Sequence, residues 1–326
     1  MRNSSPIFVN GFSRGGSTIL TNLLASHPEV CLIGETHHAF KGHSITDSMW
    51  GVIRKCLYND APILAGQCQD FFSPRLIATR KPLSRWAKSR IDTILHTEKF
   101  RSQHPTLNQF KSPDEEYHAG EIEASRLLGM NIDGIVFAND AFVDMYPEAT
   151  FFGVVRNGLA VCEGHVRRGQ SPKEVGERYQ KLVDKMCDDA HDLARYEIIR
   201  FEDVLNQPIE TLNRIFLHAG LDISQLEKIR VHTRRVMDAH GNHRLKGKYE
   251  WELTWIPLDD LDRYLDRNVD ANQAKLLSYG DRNEFLRYAG DAMERLGYST
   301  TFGRNASTGG ATSANPTTEL SSRKAA

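Results

Sequence analysis

The stretch PIFVNGFSRGGSTILTNLLASHPEVCLIGE, residues 6–35, constrains this chain more than any other. Ile7-Phe8-Val9 is a short apolar run of the kind that forms a buried strand. A turn of small residues follows, Gly11-Phe12-Ser13-Arg14-Gly15-Gly16, and then Ser17-Thr18. Ile19, Leu20, Leu23 and Leu24 recur at helical spacing. A strand that feeds a helix through a glycine-rich turn makes an anion cradle. The glycines let backbone N–H groups turn inward, and the helix N-terminus adds partial positive charge. Arg14 brings a full charge to the same point.

The remainder of the chain repeats the alternation of short apolar runs with helical patterns. Val30–Ile33 predicts a second buried strand, ending at Gly34-Glu35. Further strands are expected at Ile135–Phe137, Phe151–Val155 and Tyr196–Phe201. Helices are expected near 45–58, over Glu121–Leu128 with Gly129 as the stop, over Leu159–Arg168, and near 208–219, 224–237 and 282–296. Ser171-Pro172-Lys173-Glu174 opens another helix, with Ser at the N-cap, Pro at the first position and Glu closing a capping box. The span from about 59 to 120 carries five prolines and no clear pattern; it is expected to be an irregular insert. Within it, residues 75–101 hold eight Lys/Arg against two Asp/Glu, either a solvated face or a cap that attracts an anionic substrate. From Thr300 onward the sequence is rich in Ser, Thr, Ala and Gly and predicts a disordered tail. The expected organisation is one domain over residues 1–299, with the cap at about 59–120 and the tail at 300–326.

This order predicts an α/β fold with a central parallel sheet flanked by helices. In such sheets ligands sit outside the carboxyl ends of the strands. The Arg14 loop, Glu35 and Arg156 each follow a predicted strand, so all three can face one crevice. The net charge is −1, which disfavours a globally basic nucleic-acid binder. No run approaches the roughly 20 apolar residues that cross a bilayer. The chain passes from Met1 straight into its first strand, so no signal peptide is expected. Five widely spaced cysteines without C-x-x-C fit a reduced, cytoplasmic protein and no zinc site.

The loop nearly spells the nucleoside-triphosphate pattern G-x4-G-K-[ST], with Gly11, Gly16 and Thr18 in place and Ser17 where the lysine belongs. Two other segments accompany it. One is FFGVVRNGLAV, residues 151–161, with HVRRG beyond at His165–Gly169; the other is His27-Pro28-Glu29-Val30 leading to Gly34-Glu35. Together these resemble the sulfotransferases that use 3′-phosphoadenosine 5′-phosphosulfate (PAPS), in the bacterial and Golgi-type branch with carbohydrate and tyrosylprotein sulfotransferases. The likeness covers roughly residues 6–37 and 130–222, and its fold is P-loop NTPase-like. That branch often places G-E about 20 residues after the loop arginine, and here Glu35 follows Arg14 by 21.

The resemblance implies roles residue by residue. Ser13, Arg14, Gly15, Gly16, Ser17 and Thr18 would grip the 5′-phosphosulfate, and Arg156 the 3′-phosphate. The position of the family's second 3′-phosphate ligand, a serine, holds Gly164, so its backbone or His165 takes the role or the phosphate is held less tightly. Arg244 and Lys246, in the glycine-containing basic stretch 240–248, would close over the nucleotide. Glu35 is the chosen base, with His37 and His38 as rivals. No metal is required, because the sulfuryl group is already activated and the protein has mainly to position both ends and stabilise the leaving oxygen. The acceptor would be a hydroxyl or amine of a carbohydrate, peptide or small metabolite. Two other readings stay open: a P-loop kinase or NTPase, with Asn139-Asp140 as its nearest metal-holding site, and an inactive nucleotide-binding protein, motivated by Gly164.

Overall fold

Five parallel strands in the order β2-β3-β1-β4-β5 form the centre of the computed structural model. The structure describes residues 2–3, 5–36, 39, 82–103, 118–233, 235–237, 243–245 and 252–300. The strands are β1 (Ile7–Gly11), β2 (Val30–Glu35), β3 (Arg126–Ile132), β4 (Thr150–Val155) and β5 (Tyr196–Arg200). The helices are α1 (Ser17–Leu24), α2 (Arg85–Arg101), α3 (Ala119–Ala124), α4 (Asn139–Met145), α5 (Gly158–Val166), α6 (Pro172–Asp192), α7 (Phe201–Asn206), α8 (Pro208–Ala219), α9 (Leu261–Tyr264), α10 (Val269–Ala274) and α11 (Tyr279–Arg295).

Every residue of β1 and β4 is buried, because both faces of the sheet are covered. Side chains alternate across it with period two. Phe8, Phe151 and Val155 join Phe142, Tyr179 and Phe285 on one face. Ile7, Val9, Phe152 and Val154 join Leu20, Leu24, Ile215 and Phe216 on the other. Since all five strands run parallel, the turns after β1, β2, β3 and β4 emerge along one edge, and this is what builds a site.

The structure corrects four expectations. First, the third strand is Arg126–Ile132, and Ile135-Val136-Phe137 lies in a 3-10 turn over Asp133–Ala138. The expected helix over Glu121–Leu128 stops at Ala124, where Ser125 turns extended. Gly129 sits in the strand, where a Cβ would lie 2.5 Å from Thr36 Oγ1, so it serves the close approach of β2 and not a helix stop. Ile135 and Val136 are buried in the core, and an apolar run alone does not distinguish a buried strand from a buried turn.

Second, residues 224–237 do not form a helix. Lys228–Thr233 is β6, paired antiparallel with β9 (Glu252–Pro257), and Arg235–Met237 (β7) pairs with His243–Leu245 (β8). The alternation of Lys228, Arg230 and His232 with Ile229 and Val231 carries the strand period, and Ile229 and Val231 are buried. Third, the irregular span contains the 17-residue helix α2, started by Ser84 accepting from the Ala87 amide. Its Asp92 accepts from the backbone N–H groups of Arg2 and Asn3, and its buried Lys99 donates to the Glu123 and Ser125 carbonyls. Those partners precede β1 and β3, at the edge opposite the glycine loop. Lys88 pairs with Asp144 and Arg101 with Glu98, so these basic residues serve the fold. The rest of the expected cap, the helix near 45–58 and the tail from 301 lie outside the described residues. Fourth, Ser171 is the N-cap of α6 with Pro172 at the first position, but its side chain makes no capping bond.

Candidate active site

The glycine turn after β1 has the backbone of a cradle. Arg14 and Gly16 both adopt positive φ, 69° and 91°, and Gly16 is the N-cap of α1. No other residue fits at Gly16, since a Cβ there would lie 2.3 Å from the Phe201 ring. Gly15 N–H closes the turn onto the Phe12 carbonyl at 2.9 Å, and Ile19 N–H bonds Gly16 O at 3.1 Å. The amides of Arg14, Gly16, Ser17 and Thr18 have no acceptor among the described residues. These are donors that the start of a helix leaves over. Arg14 is exposed, while Ser17 is buried and Thr18 half-buried.

The turn is braced from behind. Phe12 stacks on Tyr179 with ring centroids 4.8 Å apart. Ser13 N–H bonds Asp133 Oδ1 at 3.3 Å, and His165 Nε2 donates to the Ser13 carbonyl at 2.9 Å. Arg156 Nη1 donates to the Arg14 carbonyl at 2.8 Å. Holding the Ser13 carbonyl on His165 points the Arg14 N–H of the same trans peptide unit the other way. Burial pushes the Asp133 carboxyl up, against Arg178, the Ser13 amide and His165.

Arg156 follows β4 as expected, at the same edge, but it is buried and occupied. Nε and Nη2 donate to Asp270 Oδ1 at 2.8 and 2.6 Å, and Nη2 also donates to Gln273 Oε1 at 2.9 Å. The guanidinium stacks over Phe201 at 4.6 Å. Four of its five N–H donors are thus committed. Gly164 lies beside it on α5. A Cβ there would meet Gln273 Nε2 at 3.3 Å and the Arg14 side chain at 3.4 Å, so the absent serine leaves room that Gln273 and Arg14 fill. Gln273 also donates to the buried Glu163 at 2.7 Å.

An acid pair stands behind this arginine. Glu202 Oε1 accepts the Asn157 amide at 2.8 Å, its Oε2 accepts the Tyr298 hydroxyl at 2.7 Å, and it reaches hydrogen-bonding contact with Asp270. Burial, then Asp270, raises the Glu202 carboxyl to about 7. Asp270 Oδ2 is buried without a donor, and a proton held on Glu202 would supply one.

Glu35 closes β2. Gly34, at φ 82°, produces a register shift against β3 that sets the last two residues of the strand. Glu35 is partly exposed, and Thr36 behind it is fully buried. With β3 between β2 and β1, Glu35 lies two strands from the glycine turn, roughly 10 Å at the usual inter-strand spacing. The edge therefore holds a cation and free amides at one point and a carboxylate a small molecule's length away.

Ser13 through Thr18, Arg156, Gly164 and Glu35 thus share the carboxyl edge of the sheet. His37, His38, Lys246 and the Arg244 side chain lie outside the described residues, although the Arg244 backbone belongs to β8. Sequence reading did not single out Asp133, Glu163, Glu202, Asp270 or Gln273. A carboxylate within two residues of a strand end, as at Asp133 and Glu202, is a signal that could have found two of them. Asp270 and Gln273, on a short helix more than 100 residues from Arg156, had none. Asp140 pairs with Lys185 at 3.3 Å. Among the described residues no group of three or more His, Cys, Asp or Glu is placed to hold a metal ion, and no helix is long and apolar enough to cross a membrane.

A family model described as "Sulfotransferase family" matches residues 6–225. Among solved structures, the sulfotransferase domain of the curacin biosynthetic pathway aligns at 13% identity and a TM-score of 0.45, over 92% of this chain and 99% of its own. The sulfotransferase domain of the Synechococcus PCC 7002 olefin synthase gives 15% and 0.43, over 91% and 96%. The Mycobacterium tuberculosis H37Rv sulfotransferase STF1 gives 16% and 0.37, over 68% of each chain. Comparison with curated proteins finds no match.

Proposed function

The chain belongs to the sulfotransferase family, and from that premise we propose that it moves a sulfuryl group from PAPS to a hydroxyl or amine acceptor. One observation carries the donor side: four amides at the start of α1 have no acceptor among the described residues, and the exposed Arg14 belongs to the same turn. That is the chemistry a phosphosulfate needs, since backbone donors and a guanidinium hold anionic oxygens without a metal. Ser13, Gly15, Gly16, Ser17 and Thr18 form the wall of this seat. Arg156 and Gly164 are the residues that would face the 3′-phosphate, with Arg244 and Lys246 from the basic stretch covering it.

In this reading Arg14 and the loop amides stabilise the charge that develops on the bridging 5′-phosphate oxygen as its bond to sulfur breaks. Glu35 takes the proton of the acceptor as the acceptor oxygen or nitrogen forms its new bond to sulfur. The products are the sulfated acceptor and adenosine 3′,5′-bisphosphate. The separation of Glu35 from the turn leaves space for the sulfuryl group and the acceptor atom between them.

Transfer of labelled sulfuryl from PAPS across a panel of carbohydrate, peptide and small hydroxyl acceptors tests the proposal. Glu35→Gln is expected to keep nucleotide binding and to lose about 10²–10⁴ in turnover. Unchanged turnover would remove Glu35 as the base and pass that role to His37 or His38. One observation favours a second reading, a nucleotide-binding protein without turnover: the donors of Arg156 are already committed. A protein that binds the bisphosphate and transfers nothing to any acceptor would support it.

A further inference from the structure

The Arg156 seat contains an anion that belongs to the chain itself. Asp270 Oδ1 takes two of the guanidinium's N–H groups, Gln273 takes a third, and the Arg14 carbonyl a fourth. Arg156 is 8% exposed, so water screens these contacts little. Asp270 and Gln273 both come from α10, which packs on α5 with Gln273 reaching Glu163 and standing 3.3 Å from where a side chain at Gly164 would begin. Asp270 is thus the carboxylate on this arginine, with Glu202 against Asp270 and Glu163 against Gln273 behind it. A phosphate dianion cannot join that group while Asp270 stays. Like charges at contact repel, and a single remaining N–H of Arg156 cannot hold a phosphate bidentately.

We propose that Asp270 is an internal stand-in for the donor's 3′-phosphate, and that helix Val269–Ala274 leaves Arg156 when the nucleotide binds. The proposal rests on the reading of PAPS as donor. Three features of the seat fit an exchange of anions. Asp270 holds Nε and Nη2 of Arg156, the donor pair that a bidentate phosphate would need. The Arg156–Phe201 stacking and the Nη1 bond to the Arg14 carbonyl involve neither Asp270 nor Gln273, so the guanidinium keeps its place when they leave. On its other side the departing carboxylate has no donor among the described residues for its buried Oδ2, so its hold there depends on whether Glu202 carries a proton. The Nη1 bond further ties the seat to the peptide of Arg14, so filling the seat with nucleotide and ordering the cradle are one event. Asp270 is thus a residue that sets donor affinity through competition and makes no contact with the donor itself.

The test compares adenosine 3′,5′-bisphosphate with adenosine 5′-monophosphate, by calorimetry, on the full chain and on Asp270→Asn. The asparagine keeps the shape of the side chain and removes its charge. Competition predicts that the variant binds the bisphosphate about 10- to 100-fold more tightly, the effect of removing one charge-assisted competitor. It predicts no change for the monophosphate, which does not enter the seat. Equal or weaker bisphosphate binding by the variant, with binding by the natural protein intact, overturns the proposal and makes Asp270 a brace that orients Arg156. If the bisphosphate binds no more tightly than the monophosphate in both proteins, the seat takes no phosphate and the proposal falls. If neither nucleotide binds either protein, the donor reading itself fails and the proposal with it. Should the variant not fold, hydrogen exchange on the natural protein decides. Saturating bisphosphate should speed exchange of the amides of residues 269–274, and unchanged or slower exchange there overturns displacement.

Discussion

Glu202→Gln should remove a pH-dependent loss of stability. Burial and the neighbouring Asp270 hold the Glu202 carboxyl at about 7 in the folded protein, against an ordinary value of 4.5. Below pH 4.5 both folded and unfolded chains carry the proton, and the group contributes nothing. Between 4.5 and 7 the folded chain keeps a proton that the unfolded chain releases, so stability falls as pH rises. The loss is complete above 7. The difference corresponds to about 3 kcal/mol at 1.4 kcal/mol per tenfold, of which about 2 kcal/mol falls between pH 5.5 and pH 8. Glutamine mimics the protonated acid and does not titrate. Urea unfolding at about pH 5.5 and about pH 8 therefore should show the variant gaining about 2 kcal/mol on the natural protein across that interval. Parallel pH dependence in the two proteins would refute the shared proton, and with it the explanation of the orphaned Asp270 oxygen.

Two further substitutions separate the cradle's backbone from its charge. Gly16→Ala puts a methyl group on a residue at φ 91° and 2.3 Å from the Phe201 ring; it should cost about 1–3 kcal/mol in thermal unfolding and abolish stabilisation by nucleotide. A variant with natural stability would mean the turn tolerates a Cβ and is not held as described. Arg14→Ala removes an exposed side chain, so stability should stay within about 0.5 kcal/mol while turnover drops on the order of 10²–10³. Natural turnover in that variant would take Arg14 out of the transfer step.

Much of the fold is legible because the parallel sheet writes itself in local patterns. Ile7–Val9 and Phe151–Val155 are continuous apolar runs, and their strands are buried on both faces; Tyr196–Arg200, interrupted by Glu197 and Arg200, is the half-buried edge strand. The failures share a cause. Ile135-Val136-Phe137 is as apolar as any strand, yet Asp133 at φ 53° turns the chain before it, and nothing in an apolar run reports that bend. The strand Lys228–Thr233 owes its state to Glu252–Pro257, a partner beyond the intervening β7 and β8. For the candidate site, the position of the glycine turn, Glu35 and Arg156 at one edge was readable because each lies at the end of a strand, and the topology sends all such ends to that edge. The occupant of Arg156 was not. Asp270 and Gln273 lie on a short polar helix, and only tertiary packing brings them to an arginine 114 residues earlier. The absence of a serine at Gly164 was visible; its physical counterpart, the space taken by Gln273 and Arg14, needed coordinates.

In the function proposed here, the turn Ser13–Thr18 cradles a phosphosulfate donor. The most direct measurement of this is thermal unfolding with adenosine 3′,5′-bisphosphate in one series and ATP with Mg2+ in another. At about 100 times its dissociation constant a ligand adds about 2.7 kcal/mol, a rise of several degrees for a chain of this size. The bisphosphate is expected to give that rise without added metal. A rise with ATP and Mg2+ alone, and none with the bisphosphate, would contradict the account and return the turn to the nucleoside-triphosphate pattern from which Ser17 separates it.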